Sequence, residues 1–69
     1  MQFKLTRETK HNVRIGDKLS FGYGSPYIVT NVIVGNRGCV NYTLQDIATK
    51  QTLYAERSSN CYGAMVTRD

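Results

Sequence analysis

Tyr27-Ile28-Val29-Thr30-Asn31-Val32-Ile33-Val34, then Gly35-Asn36-Arg37-Gly38, then Cys39-Val40-Asn41-Tyr42-Thr43-Leu44-Gln45: this stretch decides the fold. Two runs rich in β-branched and aromatic residues flank a four-residue turn whose Gly and Asn tolerate positive φ, which is the pattern of a β-hairpin. In the second arm Val40, Tyr42 and Leu44 point to one face and Asn41, Thr43 and Gln45 to the other. The first arm is apolar on both faces, and its alternation breaks at Thr30-Asn31 before resuming at Val32. A β-bulge near Asn31 accounts for the break, because one extra residue resets the parity of everything after it.

Outward from the hairpin, short strand-like runs alternate with turn residues. On the N-terminal side, residues 2–6 alternate, with Phe3 and Leu5 on one face, and form a short strand or a docked arm. Residues 7–12 are a polar loop. Val13 and Ile15 restart the alternation, Gly16-Asp17 turns, and Leu19, Phe21 and Tyr23 share a face opposite Lys18 and Ser20. On the C-terminal side, residues 46–51 make a longer turn and residues 52–57 a strand. Ser58-Ser59-Asn60 is a tight turn or one 3₁₀ turn, and residues 61–67 form a closing strand. Nothing between these runs has helical periodicity. The expected layout is an N-terminal strand or arm plus loop over residues 1–12, and a small antiparallel barrel of five to six short strands over residues 13–69.

Five strands with one tight turn before the last resemble the SH3-like barrel group, which includes KOW, Tudor-like and SH3 modules. The resemblance spans roughly residues 13–67. It is carried by Gly16-Asp17-Lys18-Leu19, by the strands over residues 27–34 and 42–44, and by Ser58-Ser59-Asn60. It implies an all-β, SH3-like small barrel that acts as a binding module. The layout of residues 16–66 is also similar to the plasmid-type (type II) dihydrofolate reductases, tetramers of SH3-like barrels around a basic pore. Here Leu53 and Tyr54 match the aliphatic and Tyr of that family's Val-Gln-Ile-Tyr stretch, while Thr52 stands at the Gln position. The ligand-gripping amide is therefore replaced, and the chain is expected to be non-catalytic.

At 69 residues the chain is one small domain, and its limited core leaves a homo-oligomer open. Its formal charge is +4, from nine Lys and Arg against five Asp and Glu, which favours anionic partners. Most of the excess lies in residues 1–18, which hold Lys4, Arg7, Lys10, Arg14 and Lys18 against Glu8 and Asp17. Cys39 and Cys61 form no CxxC pair, and the single histidine, His11, sits in a polar loop. The sequence thus assigns no metal, no cofactor and no catalytic residue. No signal peptide is evident and no apolar run is long enough to span a bilayer, so the expectation is a cytoplasmic protein without a membrane partner.

The candidate binding residues are Lys4, Arg14, Lys18 and Arg37 with Tyr23, Tyr27 and Tyr54. Basic side chains hold phosphates and exposed rings stack on bases, which is the chemistry of a single-stranded nucleic-acid platform. Lys4, Arg14 and Lys18 share outward parity in this reading and form one stripe, with Arg37 on a hairpin tip. Tyr23 and Tyr27 flank the Gly24-Ser25-Pro26 loop, and Tyr54 has the parity opposite Leu53. The first expectation is therefore a nucleic-acid-binding module. The alternative is a protein-interaction module, such as a small phage or mobile-element accessory or inhibitor protein, that docks through the same tyrosines. Tyrosine also fills the core and rim of a barrel that lacks Trp, and Tyr42 is expected in the core.

Overall fold

The hairpin pairs as its sequence requires. In a computed structural model that describes residues 1–22, 24–55 and 58–68, β3 (Tyr27–Val34) and β4 (Val40–Asp46) run antiparallel. The register shifts between Val29 and Asn31, leaving Thr30 as the extra residue of a bulge. The bulge puts both Val29 and Val32, three residues apart, on the core side, and turns Asn31 outward opposite Thr43. The Thr30 hydroxyl donates to the Thr43 carbonyl at 3.1 Å, and the Asn31 side-chain oxygen accepts the Val32 N–H at 3.0 Å. The disturbed ladder is thus locally re-satisfied.

Four more strands complete one antiparallel sheet: β1 (Gln2–Lys4), β2 (Lys18–Ser20), β5 (Thr52–Ala55) and β6 (Met65–Thr67). Their spatial order is β1-β6-β2-β3-β4-β5. After a 3₁₀ turn over Ser58–Cys61 the last strand inserts between the first two, which agrees with the small-barrel order. The fold is all-β. The sheet is not closed: among the described residues β1 and β5 are its two edges. Leu5, Leu19, Val29, Val40, Tyr42, Leu44 and Val66 are fully buried in one cluster, joined by Val13, Cys61 and Ala64 from the connections. A single sheet that encloses one core in this way has to curl over its inward face.

Several boundaries differ from the sequence reading. Val13 is buried but Ile15 is 66% exposed, because this segment is a turn and not a strand. Asp17 closes it: the Arg14 N–H donates to Asp17 Oδ2 at 2.9 Å, and the Asp17 N–H donates back to the Arg14 carbonyl at 3.1 Å. β2 stops at Ser20, and Tyr23 lies outside the described residues. Cys61 belongs to the 3₁₀ turn, and β6 starts only at Met65, after Gly63 at φ 95°. Residues 56–57 of the expected fifth strand lie outside the described residues. One 3₁₀ turn, Lys10–Asn12, occupies the polar loop, and its Lys10 carbonyl accepts the Tyr42 hydroxyl at 2.5 Å. Cys61 is buried, Cys39 is exposed, and neither is in a disulfide.

Asp17 is only 2% exposed and is held by Arg68, 51 residues away. Arg68 Nε donates to Oδ1 at 2.9 Å and Nη2 to Oδ2 at 2.8 Å, a two-pronged contact that suits a guanidinium and a carboxylate. The hydrogen bonds from Arg68, aided by the Arg14 amide, hold the Asp17 carboxyl below the usual aspartate range against the opposing effect of burial. A lowered native value means the contribution is full above the unfolded-state value, about 4, and fades as pH falls through the native one. Asp17→Asn is therefore expected to cost about 2–3 kcal/mol at neutral pH and to flatten the loss of stability in acid, read by urea melts between pH 2 and 7. Lys50 adopts φ 66° at the β4–β5 turn, where an L side chain is strained. Lys50→Gly should raise stability by about 0.5–1 kcal/mol in the same melts.

Candidate nucleic-acid interface

Cross-strand partners share a face, so the ladder registers state which side chains are neighbours. On the face turned away from the core, one row crosses all six strands: Gln2, Thr67, Lys18, Ile28, Gln45, Thr52. A second row places Lys4 beside Met65 and Ser20, and a third places Asn31 beside Thr43 and Tyr54. Lys4 and Lys18 thus lie diagonally across β6, about 12 Å apart at the backbone on standard strand spacings. Tyr54 is 73% exposed on the same face, three strands from Lys18.

No acidic residue occupies an outward strand position among the described residues. Asp46 pairs with Tyr27 on the inward parity, and its Oδ1 accepts the Ala48 and Thr49 amides at 2.8 and 3.2 Å. Glu8 lies in the N-terminal loop, where its own backbone amide and the Thr6 hydroxyl hold its carboxyl below the usual range. Asp17 faces Arg68 in the one ion pair among the described residues. Lys4, Lys18, Arg14 and Arg37 have no carboxylate partner there. Among the described residues the outward face therefore presents lysine charge, neutral amides and hydroxyls, the aliphatic side chains of Ile28, Ile33 and Met65, and the exposed ring of Tyr54.

The other candidates lie elsewhere. Arg14 is in the turn closed by Asp17 and borders a hollow with Phe3 and Arg68, on the side of the sheet opposite Lys4 and Lys18. It does not extend their stripe. Arg37 sits at the tip of the β3–β4 hairpin at φ 61°, followed by Gly38 at φ 74°. Tyr27 has inward parity, makes an edge-to-face contact with Phe21 at 5.7 Å, and borders a second hollow of about 340 Å³ with Leu53 and Asp46. Tyr42 is core, as expected, and burial raises its hydroxyl pKa well above the usual tyrosine range. Sequence reasoning passed over Gln45, Thr52, Asn31 and Thr43, although their outward parity was readable. It also passed over Arg68, for which no local signal exists. Among the described residues no group of His, Cys, Asp and Glu is placed to hold a metal ion, and no helix is long and apolar enough to cross a membrane.

The two described candidate tyrosines have different structural weight. Tyr54→Ala should change stability by less than about 0.5 kcal/mol, while Tyr27→Ala, which strips a ring from Phe21 and the core edge, should cost about 2 kcal/mol; thermal melts compare them. Comparison of the chain with protein-family models, with curated proteins and with solved structures gives no match.

Proposed function

We propose that the chain is a non-catalytic module that binds single-stranded nucleic acid across the outward sheet face, in a cytoplasmic setting. The observation that carries this reading is the grouping of Lys4, Lys18 and Tyr54 on one face whose described strand positions hold no acid. The lysines meet phosphates and release counterions, Tyr54 stacks on a base, and Gln45, Thr52, Asn31 and Thr43 offer hydrogen bonds between them. The charge is modest, so affinity is expected to be strongly salt-dependent and weakly sequence-dependent. A second reading, protein docking, is favoured by a different feature: the hollow bordered by Phe21, Tyr27 and Leu53, where Leu53 leaves 46% of its surface exposed.

Fluorescence anisotropy with labelled single-stranded and duplex DNA and RNA separates the two. Binding should weaken with salt, and Lys4→Ala with Lys18→Ala should reduce the log–log salt slope by about 1.4, two phosphates' worth on a single strand. Tyr54→Ala should cost about 1–3 kcal/mol of affinity with little change in slope. Absence of binding at low salt would remove the nucleic-acid reading. A protein partner whose capture is lost in Tyr27→Ala but not in the double lysine variant would favour docking.

A further inference from the structure

On the inward side of the β1 edge, the loop around Lys10–Asn12 and the turn at Arg14 enclose a hollow of about 300 Å³ with the end of β6. Phe3, His11, Asn12, Arg14 and Arg68 border it, and among the described residues no carboxylate does. Arg68 is fixed there. Its Nε and Nη2 are engaged by Asp17, and Nη2 also donates to the Asn12 carbonyl at 2.6 Å. Its carbon Cζ lies 5.9 Å from the Phe3 ring centre. The Nη1 amino group has no hydrogen-bond partner among the described residues, and neither do the side chains of Arg14 and His11. Among the described residues Asp17 pairs with Arg68, and Arg14 has no ion-pair partner of its own.

A guanidinium held in place by a buried carboxylate and a carbonyl offers its remaining amino group, Nη1, without further ordering, which lowers the entropic cost of binding. Donors from a loop, a turn and a strand end approach one space from different directions. That suits the several oxygens of a tetrahedral anion better than the two of a planar carboxylate. The half-buried Phe3 ring supplies an apolar wall for whatever the anion is esterified to. We infer that this hollow is a binding site for a phosphate monoester, with Arg14 and the free Nη1 of Arg68 on the phosphate oxygens and His11 and Asn12 beside them. The site is independent of the sheet face, because Lys4 and Lys18 point the opposite way.

The phosphate can belong to a free nucleotide or to the end of a strand, and a ¹⁵N NMR titration distinguishes them. The probes are AMP, adenosine, inorganic phosphate, and a short oligothymidylate with either a 5′-phosphate or a 5′-hydroxyl. AMP should shift the Arg14 amide and the Arg68 Nε resonance saturably, and adenosine should not. Arg14→Ala should weaken AMP about tenfold, the loss of one charge-assisted contact, with the dispersed spectrum of the fold retained. A gain of the 5′-phosphate strand over the 5′-hydroxyl strand that vanishes in Arg14→Ala assigns the source to strand ends. AMP and phosphate shifts without that gain assign it to small molecules. No saturable shift by AMP, phosphate or the 5′-phosphate strand overturns the site, as does unchanged AMP affinity in a folded Arg14→Ala. Equal binding of both strands, with no shift at Arg14 from AMP, phosphate or either strand, places any strand contact on the sheet face and also overturns the site.

Discussion

The contact between Asp17 and Arg68 is the constraint on which the sheet depends. It joins the turn entering β2 to the residue leaving β6, and β6 is the strand that lies between β1 and β2. Around it the backbone is held on both sides. The Val29 N–H donates to the Asp17 carbonyl and the Gly16 N–H to the Val29 carbonyl, both at 2.8 Å, so the β2–β3 ladder continues into the turn. The same carboxylate thus fixes a turn, a ladder end and a distant strand. A charge this deeply buried is tolerable only because each oxygen is hydrogen-bonded, and its partner keeps a quarter of its side-chain surface in solvent.

The bulge at Thr30 is the second constraint, and it links the fold to the face available for binding. Strict alternation through β3 would send Asn31 into the core and Val32 to solvent. One extra residue reverses both. As a result Asn31 joins Thr43 and Tyr54 in one outward row, while Val29 and Val32 both pack on the core. The composition of the outward face is therefore a product of strand register. The hollow on the inward side of the β1 edge is instead a product of the connections, which bring Arg14 and His11 beside Arg68.

What was legible in the sequence was local. The hairpin, its bulge, the inward set Val40, Tyr42 and Leu44, and the outward parity of Lys4, Lys18 and Tyr54 follow from period-two alternation and turn chemistry. The turn at Ile15 was not legible. A Val-x-Ile pattern reads as strand until one knows that the Asp17 carboxylate captures the Arg14 amide. The short β6 was obscured in the same way. Cys61 and Ala64 are buried like strand residues, but a 3₁₀ turn and a positive-φ glycine place them. Arg68 was invisible because its partners lie far away in the chain, and no pattern near residue 68 announces them.

The strand order also governs how the chain assembles in time. β3, β4 and β5 form a meander whose pairings close short loops, and such loops form quickly. β6 has to find β1 and β2, whose partners stand near the opposite end of the sequence, so that half of the sheet bears nearly all of the loop-closure entropy. Folding speed is then set by the arrival of the last strand, in the slow range of non-local β topologies. Until it docks, Phe3 and Leu19 lack their shared neighbour Val66, and that side of the core remains open to water.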